Sequence, residues 1–98
     1  MVKRVIWSAN ALSDRISILD YWFQKTGNKT YSHKLDKSLR DAIKHLSHFP
    51  EMGRKIEHRD ERFFVMDAYL IIYSIVKNEI HVLHIWDSRR SPDDLRFV

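Results

Sequence analysis

Apolar residues recur at three- and four-residue steps as far as Pro50, and from about Arg62 they crowd instead into short runs of β-branched and aromatic side chains. That change of period admits few architectures, because a helix buries a stripe whereas a strand buries one or both sides of a sheet. Ser8 offers a cap to a first helix carrying Leu12, Ile16, Leu19 and Phe23 along one face. Lys25-Thr26-Gly27 stops it, since glycine takes the left-handed conformation without a Cβ penalty. A second helix starts at Thr30, whose hydroxyl can serve as cap, and carries Leu35, Leu39, Ala42, Leu46 and Phe49 on one stripe until Pro50 ends it. Joined through Gly27-Asn28-Lys29, the two helices form a hairpin that cannot cover both stripes by itself, so a sheet must close the core.

Arg4 to Trp7 reads as a first strand, and Arg62 to Met66, Leu70 to Val76 and Ile80 to Trp86 supply three more. The links Asp67-Ala68 and Lys77-Asn78-Glu79 are short enough to make these three antiparallel neighbours. Ile71, Tyr73 and Ile75 share one face of the middle strand and Leu70, Ile72 and Val76 the other. Both faces are apolar, which predicts helices over one and leaves the second for a partner. Asp87 to Asp94 is a polar loop or tail, with Leu95 and Phe97 available to tack it back. The expected fold class is therefore α+β, in the order β-α-α-β-β-β, with a helical hairpin on an antiparallel sheet and residues 1–98 forming a single domain.

A chain of 98 residues sustains one core, and a substrate cavity of several hundred cubic ångströms would hollow much of it out, which favours a groove or flat patch as the working surface. The absence of cysteine removes disulfides, thiol catalysis and cysteine-rich zinc sites. The longest apolar runs fall far short of the roughly 20 residues of a membrane span, and Met1-Val2-Lys3-Arg4 leads into structured sequence without a secretion-type segment, so the cytoplasm is expected. Charge is uneven: Met1 to Pro50 holds nine basic and four acidic residues, Glu51 to Val98 eight and nine. This permits an acidic protein or nucleic-acid partner, although excess positive charge also serves solubility alone.

Arg54, Lys55, Arg59, Arg62, Arg89 and Arg90 are the candidates for contacts that need a permanent cation, with Glu57, Asp60 and Glu61 available to pair the nearby ones. An antiparallel path could bring Arg62, which opens one strand, near Arg89 and Arg90, which follow another. Trp86 and Asp87 stand beside them at the strand end. Tyr69, Tyr73 and Trp86 could stack on bases, against the commoner fate of aromatic side chains in a core. His81 and His84, three apart on a strand, are expected on opposite faces, which argues against a shared metal. Glycine-rich phosphate loops and serine-nucleophile motifs are absent, and no cofactor or metal is expected.

Leu46-x-x-Phe49-Pro50-x-x-Gly53-Arg54, Tyr69-Leu70-Ile71-Ile72-Tyr73 and Trp86-Asp87-x-Arg89-Arg90-x-Pro92, in this order and spacing, resemble the RelE/ParE superfamily of toxin–antitoxin toxins over essentially the whole chain. The resemblance implies a strand, a helical hairpin, three antiparallel strands, and a cognate antitoxin wrapped on the toxin surface. It also implies one of two activities: ribosome-dependent cleavage of messenger RNA or inhibition of DNA gyrase. Cleavage without a metal needs a base, an acid and a cation on the phosphate. Nuclease members place an arginine where this chain has Leu70, and a tyrosine or histidine near the chain end for which there is no clear match beyond Arg90. The expectation is a ParE-like inhibitor of gyrase acting by protein–protein contact, with a RelE-like nuclease as the alternative and a non-toxic nucleic-acid-binding module as a third reading. Arg54, Lys55, Arg62, Trp86, Asp87, Arg89 and Arg90 are its candidate target-binding or active-site residues.

Overall fold

The computed structural model describes residues 2–89; Arg90, Pro92, Leu95 and Phe97, to which the sequence assigned roles, lie outside them. Strand β1 (Arg4–Trp7) leads into helix α1 (Ala9–Thr26) and helix α2 (Thr30–His48). A 3-10 turn at Pro50–Met52 and the two-residue strand β2 (Arg54–Lys55) precede β3 (Arg62–Met66), β4 (Tyr69–Val76) and β5 (Glu79–Asp87). The sheet order is β1-β5-β4-β3-β2. β3, β4 and β5 form the expected antiparallel meander, while β1 lies parallel to β5, so the sheet is mixed. β2, too short to show a period, pairs antiparallel with the start of β3.

Ser8 both caps α1 and ties it to the sheet: its Oγ accepts from Ala11 N at 3.0 Å and donates to the Leu83 carbonyl at 2.9 Å. Gly27 ends the helix with φ 76°, in the left-handed region. Thr30 is not the cap of α2 but its first residue; Lys29 holds the cap position without a side-chain bond, and Asn28 Oδ1, one residue earlier, accepts from Thr30 N at 3.0 Å.

Of the stripe read from α1, Leu19 packs on the core, but its N-terminal half does not. Leu12 and Ile16 are 44% and 69% exposed, whereas Ala11 is fully buried and Ile18 and Trp22 pack on the core. The two stripes lie about 100° apart on the helix and both are apolar; the small Ala11 side chain admits the close approach to β5. On α2 the stripe is correct for Leu35, Leu39 and Leu46, joined by Ile43, but Phe49 lies beyond the helix and is 58% exposed.

The core lies between the hairpin and one face of the sheet, filled by Tyr69, Ile71 and Tyr73 of β4 and Ile80, Val82 and Ile85 of β5. Ile72 and Trp86 are buried on the opposite face. A bulge interrupts the β4–β5 ladder: Ile72 faces His84, and the next residue, Tyr73, faces Val82, leaving Leu83 as the extra residue. Contrary to the sequence reading, this puts His81 and His84 on the same face. They have separate partners, Glu79 for His81 at 2.9 Å and Asp14 for His84 at 3.3 Å. Among the described residues no group of three or more His, Asp or Glu is placed to hold a metal, and no helix is long and apolar enough to cross a membrane.

Candidate functional site

The Phe49-Pro50-Glu51-Met52-Gly53-Arg54 segment is held from below by one buried phenol. Tyr73 Oη donates to the Pro50 carbonyl at 2.6 Å and accepts from Gly53 N at 2.9 Å. Arg62 Nη1 adds a hydrogen bond to the Gly53 carbonyl at 2.8 Å. A Cβ on Gly53 would meet the Tyr73 ring and hydroxyl and stand 2.9 Å from the Phe63 carbonyl oxygen. Glycine is thus required by close approach, since its φ of −72° is ordinary. Burial pushes the Tyr73 hydroxyl pKa above its usual value, partly offset by the Gly53 N–H that it accepts. Arg62 faces the ring through the sheet register and spends one guanidinium nitrogen on a loop carbonyl.

Arg54 and Lys55, on the edge strand β2, are exposed, and Arg59 pairs with Glu61 at 2.9 Å in the loop that follows. These cations, with Arg62, mark one end of the sheet. Asp87 and Arg89 mark the other. Arg62 faces Tyr73 while Asp87 faces Tyr69, four residues away along β4, which is about 13 Å at the rise of a strand. β3 and β5 run in the same direction on either side of β4, so the start of one and the end of the other cannot meet. The expected approach of Arg62 to Arg89 is therefore not found.

At the Arg89 end, the guanidinium grips Asp87 with two bonds, Nε to Oδ1 at 3.0 Å and Nη2 to Oδ2 at 2.7 Å. This pairing pushes the Arg89 pKa up. The pair borders an open cleft of about 310 Å³ whose other walls include Asp14, Ser17, Tyr21, Tyr69 and Ile85. Trp22 Nε1 donates to Tyr69 Oη at 2.7 Å, and burial raises the Tyr69 pKa against that bond. Asp14 closes the unpaired edge of β5 by accepting from Ile85 N at 3.0 Å. His84 thus meets Asp14 of α1.

Of the proposed stacking aromatics, Tyr69, Tyr73 and Trp86 are all buried, and the more exposed rings are Tyr21, Tyr31 and Phe49. The sequence reading placed Phe49 on the buried stripe of α2; for Tyr21, the cation–π contact with Lys25, four residues later, was a signal available from helical spacing. Leu70 lies between Val65 and Trp86 in the sheet register, and its hydrocarbon side chain offers a phosphate nothing. Of the candidate cations among the described residues, Arg54, Lys55, Arg59 and Arg62 stand at one end of the sheet and Arg89 at the other, and no common point joins Arg62, Arg89 and a base.

The comparisons with known proteins agree with this fold. A family model described as the ParE toxin of type II toxin-antitoxin system, parDE, matches residues 5–92. Toxin RelE2 of Caulobacter vibrioides is 26% identical over 89 residues, covering 91% of this chain and 99% of that protein. A solved structure titled chromosomal ParDE TA system from P. aeruginosa superposes with a TM-score of 0.77 at 19% identity, covering 88% of this chain and 96% of that one. With a hairpin on a meander, a phenol-clamped Phe-Pro-x-x-Gly segment and a match spanning nearly its whole length, the chain belongs to the ParE toxin family of type II toxin–antitoxin systems and has an antitoxin as its partner.

Proposed function

We propose that this chain is a single-domain cytoplasmic toxin that inhibits DNA gyrase by protein–protein contact. The observation that supports this reading is the dispersal of its cations. Metal-free RNA cleavage requires a base, an acid and a phosphate-binding cation around a single bond. Here Arg62 reaches to a loop carbonyl, Arg89 is gripped by Asp87 at the far end of the sheet, and Leu70 lies between them. Exposed cations without a catalytic cluster suit recognition of a macromolecular surface better than bond cleavage. Arg54 and Lys55, projecting from an edge strand, are the first candidates for that contact, and Arg89 the second.

The test pairs two assays on the purified protein: supercoiling by gyrase, and cleavage of transcripts on translating ribosomes. The reading expects supercoiling to be blocked and transcripts to survive, with the double substitution Arg54→Ala and Lys55→Ala weakening the block. Transcript cleavage with normal supercoiling would replace it by the nuclease reading. Binding to duplex or RNA with neither effect, and no growth arrest on expression, would favour a non-toxic nucleic-acid-binding module.

A further inference from the structure

The clamp on Tyr73 fixes a segment whose two largest apolar side chains point away from the core. Phe49 is 58% and Met52 54% exposed, although the backbone between them is pinned at the Pro50 carbonyl and the Gly53 N–H. Phe49 and Met52 touch His45 on one side, the ring at 5.1 Å between centroids and the sulfur at 2.8 Å from Nε2, yet each keeps more than half of its surface in solvent, which is an unusual use of two large apolar side chains. Pre-organised apolar anchors reduce the ordering cost of association, which is what a binding surface needs.

Phe49 and Met52 line an open cleft of about 550 Å³ together with Lys3, His48, Pro50, Glu51 and Ile75. Its floor is apolar, Lys3 and Glu51 are its charged lining residues, and further lysines stand just outside it. Lys3 reaches the Lys77 carbonyl with its ammonium at 2.8 Å, which brings the β4–β5 turn and the Lys77 residue to the same edge. Lys44 lies one helical turn before His48 and so shares its face of α2. Glu51 is the one carboxylate among the described lining residues. A second copy of this basic chain would bring like charge to the rim, so the occupant that fits is an acidic amphipathic segment, with an apolar side chain in the cleft and carboxylates facing Lys3, Lys44 and Lys77.

We infer that this cleft is a docking site for an acidic amphipathic segment of the antitoxin, anchored on Phe49 and Met52. The inference rests on membership of a toxin–antitoxin family and is independent of the gyrase reading. Its test is the affinity of the purified toxin for its antitoxin, measured by titration calorimetry on wild type, Phe49→Ser, Met52→Ser and the charge variant Lys3→Glu with Lys77→Glu. Ile16→Ser, on the other exposed apolar stripe, is the control. Unchanged thermal melts will show that the exposed substitutions leave the fold intact.

The expected result is a loss of about thirty-fold or more for Phe49→Ser, a smaller loss for Met52→Ser, weaker binding with a flatter salt dependence for the charge variant, and an unchanged Ile16→Ser. Affinities within twofold of wild type for both Phe49→Ser and Met52→Ser overturn it. So does a pattern in which Ile16→Ser weakens the antitoxin and Phe49→Ser does not, or in which Phe49→Ser abolishes gyrase inhibition while leaving the antitoxin bound, which would give the cleft to the target. If the wild type never inhibits gyrase but the Phe49→Ser loss is seen, the docking site stands and only the gyrase reading fails.

Discussion

Replacing Tyr73 by phenylalanine deletes one oxygen and leaves the ring to fill the core. That oxygen donates to the Pro50 carbonyl and accepts from Gly53 N, the second bond fully buried. Stranding a buried donor or acceptor costs about 1–3 kcal/mol, and the Pro50 carbonyl, only partly buried, recovers some of this from water, so the expected loss is about 2–3 kcal/mol. Near the melting temperature each 1 kcal/mol corresponds to about 4–8 °C in a domain of this size, which places the drop at roughly 8–24 °C. Urea unfolding should move to a lower midpoint with the same slope, because the buried area is unchanged. Tyr69→Phe, which removes only the acceptor for Trp22 Nε1, should cost less, about 1 kcal/mol. The Tyr73 pKa is raised in the folded state, chiefly by burial, so the unfolded chain loses this proton first as pH rises. The contribution is complete below the unfolded value of about 10 and is lost as pH climbs from there through the folded one, a decline that Tyr73→Phe should reduce. A Tyr73→Phe protein within 0.5 kcal/mol of wild type, roughly the measurement error, would refute the clamp as the element that holds the loop.

Three further outcomes follow from the same geometry. Gly53→Ala should destabilise by about 1–3 kcal/mol in urea melts, since the added methyl meets the Tyr73 ring and a backbone carbonyl and not a flexible tip. Ala11→Leu should overpack the contact of α1 with β5 and cost a similar amount, about 1–3 kcal/mol, whereas Ile16→Ser should stay within about 0.5 kcal/mol; the reverse order would mean that α1 is turned the other way. The Arg15 guanidinium bonded to Asp36 holds that carboxyl below its usual range, so its contribution is present above about pH 4 and is lost as pH falls through the lowered value. Asp36→Asn should therefore flatten the acid limb of the stability curve, modestly because the pair is partly solvated.

The elements that sequence revealed best are those with a single apolar solution. Leu35, Leu39 and Leu46 on α2 and the bounds Arg62–Met66 of β3 are found as expected. α1 was ambiguous because two adjacent stripes, Leu12 with Ile16, Leu19 and Phe23, and Ala11 with Ile18 and Trp22, are both compatible with a helix, and the buried face takes Leu19 from the first and the whole of the second. Only the fit against β5 selects between them. The bulge at Leu83 has no glycine or proline to announce it, and it reverses the facing of every residue beyond it, which is why His81 and His84 were assigned opposite sides.

For the candidate site the sequence offered a residue list and no arrangement. Order and spacing of the Phe49-Pro50 and Trp86-Asp87 segments were enough to suggest the family. They did not reveal that Tyr73 lies beneath the first, that Trp86 is buried, or that Arg62 and Arg89 occupy opposite ends of the sheet. Those facts depend on strand register, which pairs Arg62 with Tyr73 and Tyr69 with Asp87 across the ladder and has no local signature.

The gyrase reading meets its most direct test in a titration of this protein against gyrase in the supercoiling of relaxed plasmid, without ribosomes or RNA. A stoichiometric contact between proteins should abolish supercoiling near equimolar toxin, and pre-mixing with the antitoxin should restore it. Undiminished supercoiling at a large excess of active toxin would contradict it.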